Sequence, residues 1–121
     1  MDAPTRRAVA YIAGRLTSQR AVAAIYDYEA GRYTNFSGNI SPSNISVYDF
    51  DCRCHVSGTR QNGHLSLYHH GSAGHIDLNL GPGGSFSGYD YRSSSHFNGT
   101  VKGTSISLYD NSSGKYFNYS I

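Results

Sequence analysis

The sequence predicts a mainly β domain: about ten short antiparallel strands from five hairpin repeats of roughly 20 residues, closed as a meander barrel, with one N-terminal α-helix capping or plugging it. Three observations predict this class. The first is composition. The chain has 121 residues, enough for one domain spanning 1–121, and is crowded with 18 Ser, 14 Gly and 11 Tyr while holding one Met and no Trp. Scarce Leu and Met argue against a helical bundle. An aromatic content of 13% at a net charge of +2 argues against disorder, because disordered chains are aromatic-poor and highly charged. The second is a sequence repeat, and the third is strict alternation within it.

The repeat is carried by Ile45-Ser46-Val47-Tyr48-Asp49, Leu65-Ser66-Leu67-Tyr68-His69, Phe86-Ser87-Gly88-Tyr89-Asp90 and Ile106-Ser107-Leu108-Tyr109-Asp110, with a degenerate copy at Ala23-Ala24-Ile25-Tyr26-Asp27. Each copy is followed by a second signal, an apolar residue behind a polar or aromatic one: Asn35-Phe36, His55-Val56, His75-Ile76, His96-Phe97 and Tyr116-Phe117. The apolar residue follows the repeat Tyr by eight positions in four copies and by ten in the first.

Alternation makes each copy a half-buried strand: Ile45 and Val47 share one face, Ser46 and Tyr48 the other. The following segments, 49–54, 69–74, 90–95 and 110–115, carry Asp, Gly and Ser and read as turns, since Asp accepts local backbone hydrogen bonds. A return strand follows each turn. Closing such a meander into a barrel removes its sheet edges, and Gly38, Gly58, Gly88 and Gly99 on the apolar face suit a crowded, curved interior. A β-solenoid with stacked Tyr, Ser and His ladders is the alternative, and a two-sheet sandwich is a third.

Residues 1–20 differ. Val9, Ile12, Ala13 and Leu16 fall at helical spacing, predicting an amphipathic helix over about 4–18, with Asp2 or Thr5 as N-cap and Pro4 in the first turn. Docking of this helix onto a partner or a membrane surface is its functional alternative. The segment holds Arg6, Arg7, Arg15 and Arg20 against Asp2, whereas 21–121 is close to neutral. The basicity is therefore read as a solvated helix surface on a near-neutral body, and no nucleic-acid partner is expected. No segment approaches the run of about 18 apolar residues that crosses a bilayer, so no membrane span is expected. The first residues lack the hydrophobic region of a signal peptide, which slightly favours the cytoplasm.

Function is expected on the face opposite the apolar one, where Tyr48, Tyr68, Tyr89 and Tyr109 join His55, His75, His96 and Asp77. Flat rings beside hydrogen-bonding side chains suit a polar ligand such as a glycan. Cross-strand pairing of Tyr in a soluble sheet is the purely structural explanation of the same pattern. The leading expectation is a non-catalytic binding module. A structural or protein-interaction domain is second, and a small metal-dependent enzyme is third. No cofactor or metal is assigned: the spacing of Cys52, Cys54, His55, His64, His69, His70 and His75 matches no zinc pattern. In a meander, a whole strand separates His55 from His75. Cys52 and Cys54, two apart in an extended strand, would lie about 6.6 Å apart and are expected to be reduced thiols. Gly81-Pro82-Gly83-Gly84 reads as a turn rather than a phosphate cradle, and no motif of nucleophilic, metallopeptidase or dinucleotide chemistry is present. Asp77 and His75 share a strand face, which is weak ground for acid–base catalysis.

Tyr26-Asp27-Tyr28-Glu29-Ala30-Gly31-Arg32-Tyr33 resembles the core of YD repeats, the β-hairpin units that build the shells of bacterial RHS-type toxins. Tyr109-Asp110 with Gly114-Lys115-Tyr116 is a looser match. The middle units lack the Gly-Arg step, so the resemblance implies hairpin units alone; no shell or toxin role is carried over and no family is assigned.

Overall fold

A computed structural model describes all 121 residues. Helix α1 (Ala3–Ser18) is followed by ten strands: β1 (Ala24–Asp27), β2 (Arg32–Ile40), β3 (Asn44–Asp49), β4 (Cys54–Gln61), β5 (His64–His69), β6 (Gly74–Leu80), β7 (Ser85–Asp90), β8 (Ser95–Lys102), β9 (Ser105–Asp110) and β10 (Lys115–Ser120). Each strand pairs antiparallel with its chain neighbours, and β1 pairs with β10 to close the barrel. The meander is therefore correct and the solenoid, which needs parallel stacking, is not the fold.

The inner face holds Ile45, Val47, Leu65, Leu67, Phe86, Ile106 and Leu108, all buried. They pack around α1, which runs through the lumen as a plug. Asp2 caps the helix, its side chain accepting from the Thr5 amide at 3.0 Å, and Pro4 sits in the first turn. Thr5 and every residue from Arg7 to Gly14 are buried, so the helix is enclosed on all sides over two turns rather than on one amphipathic stripe. Small residues make this possible: Ala8, Ala10, Ala13 and Gly14 let the backbone approach the wall, and a Cβ on Gly14 would come within 2.6 Å of Ile106 Cδ1. Tyr11 stacks on Phe36 with ring centroids 4.2 Å apart. An apolar stripe held inside the barrel is not free to dock elsewhere.

The glycines of the inner face are sites of close backbone approach. A Cβ at Gly58 would overlap the Ser66 carbonyl, and one at Gly88 would overlap both the Asp77 carbonyl and the Phe97 ring. Hydrogen placed there lets neighbouring strands fold sharply around the helix.

The five turns at the helix N-terminal end share one design. Asp27, Asp49, Asp90 and Asp110 each accept a backbone amide two residues on through Oδ1; His69, which replaces Asp in the third unit, accepts the Ser72 amide through Nδ1 at 3.1 Å. All five residues are buried and form an inward ring. Cations from the helix meet them there. Arg7 donates from Nε and Nη2 to Asp49 Oδ2 at 3.0 and 2.7 Å, Arg6 Nη1 lies 3.8 Å from Asp110, and the Met1 amino group lies 3.2 Å from the same carboxylate. The arginines at 6 and 7 are thus not a solvated surface, as their charge suggested, but internal partners of the repeat acids. The reason is that Asp49 and Asp110 give Oδ1 to their turns and leave Oδ2 to the cations of the N-terminal segment.

In the first unit, whose second signal follows the repeat Tyr by ten residues instead of eight, the partner of Tyr26 across β1 and β2 is Tyr33, and Asn35 stands opposite Ala24. One further expectation is corrected. Cys52 and Cys54 are paired as a disulfide rather than reduced. They do not lie together in an extended strand: Cys52 precedes β4, Cys54 begins it, and Arg53 between them has φ 56°, which brings their Cα atoms to 5.3 Å.

Candidate functional site

The outer face carries a belt of rings near the acidic end. Each repeat Tyr points outward, half-buried, against the residue opposite it on the return strand: Tyr48 with His55, Tyr89 with His96 and Tyr109 with Tyr116 at centroid distances of 4.8 Å, Tyr68 with His75 at 4.7 Å. In four units a second ring follows the repeat Tyr by two residues and packs on its other side: Tyr28, Phe50, His70 and Tyr91. Three of these, Phe50, His70 and Tyr91, lie in segments that the sequence reads as turns. The signal that reveals them is the spacing itself, since two residues along a strand return to the same face. Away from the belt the outer face is polar, with Ser46, Ser66, Ser87 and Asn98 exposed.

The expected site residues are not equivalent within this belt. Tyr48 and His55 on β3 and β4, and Tyr109 on β9, occupy separate arcs. Asp77, Tyr89 and His96 come together along a groove of about 420 Å³ on β6, β7 and β8, walled by Asn79, Ser87 and Asn98. Asp77 stands opposite Tyr89 in register, and Tyr89 opposite His96. On the other side of Asp77, a recess of about 290 Å³ is formed with Ser66, His75 and Tyr91. Tyr68 closes this side by packing on His75.

Asp77 is the hinge between the two depressions. Its Oδ2 accepts the Tyr91 hydroxyl at 2.7 Å, which fixes the orientation of a ring that is 54% exposed. The hydrogen bond and the charge of Asp77 raise the Tyr91 pKa above its ordinary 10, so the ring stays a neutral donor across the physiological range. Asp77 Oδ1 makes no protein hydrogen bond and keeps its acceptor capacity. His75 shares the recess with Asp77 without bonding to it, and the carboxylate is engaged by Tyr91 rather than by an imidazole. No group of three or more His, Cys, Asp or Glu side chains gathers in a metal-holding arrangement. The Gly81–Gly84 segment is a turn between β6 and β7.

No protein-family model matches the chain, and no curated protein or solved structure is significantly similar to it. The fold is thus a ten-stranded antiparallel barrel with a helical plug, and no helix is long and apolar enough to cross a membrane.

Proposed function

We propose that the outer face of β5–β8 is a non-catalytic binding surface for a glycan or a similarly polyhydroxylated ligand. The observation that carries this reading is the Tyr91–Asp77 pair. An exposed ring is held in one orientation by a carboxylate that keeps acceptor capacity, between two shallow depressions lined by Ser, Asn and His. A ring face stacks on the apolar face of a pyranose, while carboxylate and amide oxygens take its hydroxyls. The pre-set Tyr91 rotamer lowers the ordering cost of binding. The surface is polar between belt and rim, the reverse of the apolar outer band by which barrels face lipid. Two of the four arginines of the leader are directed inward, which reduces the basic surface a nucleic acid would use.

The test is a titration of ¹³C-labelled tyrosine protein against glycans that give signal on a glycan array. Saturable shifts of Tyr91 and Tyr89, abolished by Asp77→Ala and weakened about tenfold or more by Tyr91→Ala, are expected for a stacking ring and its anchor. A flat array together with unshifted tyrosines would remove the reading.

A second reading, docking of a protein, is supported by one observation. Tyr28, Tyr33 and Tyr116, 61%, 68% and 64% exposed, all project from β1, β2 and β10 and the turns beside the barrel seam. Sedimentation of the chain as a concentration-dependent dimer, lost in Tyr33→Ser, would favour it. A monomer at all concentrations with no crosslinked partner would not.

A further inference from the structure

The chain's two cysteines stand third and fifth after Asp49, Cys52 in the turn after β3 and Cys54 at the first position of β4. We infer that they form a reversible dithiol/disulfide couple, a thiol–disulfide exchange site open to low-molecular-weight thiols. It lies apart from the ligand surface of β5–β8 and does not rest on that reading.

The turn, rather than the bond, brings the two side chains together. In all five turns at this end the fourth residue after the repeat acid or His69 is left-handed: Gly31, Arg53, Ala73, Ser94 and Gly114, with φ of 71°, 56°, 55°, 54° and 69°. The left-handed residue between the cysteines is thus a property of the repeat and not a strain imposed by sulfur. In the turn between β7 and β8 the third and fifth positions are Ser93 and Ser95, whose hydroxyl oxygens lie 2.7 Å apart with no covalent bond between them. One backbone therefore accommodates a facing unbonded pair in one unit and a disulfide in another. The backbone of the turn does not depend on the bond.

Three further observations fit reversibility. The turn is held without sulfur, since Asp49 Oδ1 accepts the amides of Asp51 and Cys52 at 2.8 and 3.2 Å. A cross-link closing so short a loop restricts the unfolded chain little, so little folding stability opposes its reduction. The reduced state also has a partner ready, because Cys54 Sγ lies 2.9 Å from the Cys52 carbonyl oxygen, which accepts from the thiol.

The sulfurs differ in access. Both cysteines are part-buried, but a Cβ at Gly71 would overlap Cys54 Sγ and sit 3.2 Å from His69 Cε1, so Cys54 is backed by the next turn. An external thiolate attacks Cys52 Sγ. The S–S bond breaks, and its electron pair leaves on Cys54, which takes a proton from water. A second external thiolate attacks the outer sulfur of the mixed disulfide, forming the external disulfide and releasing Cys52 as thiolate. Two external thiols are oxidised and one protein disulfide is reduced; the reverse sequence restores it.

The test equilibrates the full chain in buffers of reduced and oxidised glutathione, quenches with acid, alkylates free thiols and reads intact mass. Both forms are expected within the series, with the disulfide-to-dithiol ratio moving about tenfold for each tenfold change in oxidised over squared reduced glutathione. Circular dichroism and Tm are expected to be nearly the same for both forms. A disulfide that persists in every buffer, a reduced chain that loses the barrel spectrum, or a dithiol that forms only intermolecular bonds would each overturn the inference. With oxidised glutathione, Cys54→Ser is expected to form its mixed disulfide at Cys52 about tenfold faster than Cys52→Ser does at Cys54, because Cys54 is backed by the Gly71 turn. Equal rates would refute Cys52 as the attacked sulfur.

Discussion

Replacing Arg7 by Leu tests whether the plug is locked by charge as well as by packing. The guanidinium is 7% exposed and the carboxylate of Asp49 fully buried, with Nε and Nη2 both donating to Oδ2. Leucine fills much of the space but leaves Asp49 as a buried, unpaired anion. Removing one partner of a buried pair costs about 3–5 kcal/mol. For a domain of this size that lowers Tm by roughly 10–20 °C, a large share of a total stability of about 5–15 kcal/mol. Urea denaturation of Arg7→Leu, Asp49→Asn and the double variant measures it. Asp49→Asn keeps a turn-capping oxygen and removes the charge, so the double variant should be clearly more stable than the sum of the single losses implies. A loss below about 1 kcal/mol in Arg7→Leu, or simple additivity, would refute the lock, since exposed ion pairs behave that way.

Acid should loosen the same end of the barrel in two stages. Burial holds His69 below its ordinary 6.5, with the charges of Asp2 and Asp49 opposing, so the folded state favours the neutral ring. Stability is full above 6.5 and falls as pH drops below it; His69→Asn should flatten that slope in urea titrations, and an unchanged slope would count against the assignment. Burial pushes Asp2 and Asp110 upward, but hydrogen bonds, chiefly from Thr5 and Ser72 to Asp2 and from Ser112 to Asp110, hold both below 3.8. Their contribution is full above that value and is lost as pH falls through the lower folded values; Ser112→Ala should move the acid transition upward. Gly88→Ala, whose methyl would overlap the Asp77 carbonyl and Phe97, is expected to destabilise by about 1–3 kcal/mol or more, and a neutral result would mean the strand yields there. Deleting residues 1–18 should leave a chain without near-ultraviolet dichroism, whereas a folded barrel lacking its helix would show that the plug is dispensable.

The strands were legible because two-residue alternation and the Tyr repeat act locally, and each hairpin is closed by its own turn chemistry. The same local logic narrowed the N-cap to Asp2 or Thr5, and the structure has Asp2. Arg6 and Arg7 were misread because charge in a short basic helix normally points to water; only the ring of Asp oxygens, assembled from residues up to about 80 positions apart in the chain, makes the interior habitable for them. The cysteine pairing was hidden by treating 52–54 as extended, when the left-handed Arg53 shortens that step. Of the proposed ligand surface, Asp77, Tyr89 and His96 were legible as outward repeat positions. Tyr91 was not, because a residue flanked by Asp90 and Arg92-Ser93-Ser94 reads as turn although its ring lies back along the strand face.

Five near-equal hairpins in a ring contain no count of their own, since every pairing but one is a local hairpin step that a ring of four or six would satisfy as well. The helix sets the number. Barrels of about eight strands are filled by their own side chains, whereas a helix of about 10–12 Å diameter needs a wider bore. Ala8, Ala10, Ala13 and Gly14 thin this one to fit inside ten strands. The plug is thus the mandrel on which the sheet is wound, and altering its girth would change how many repeats the ring can take.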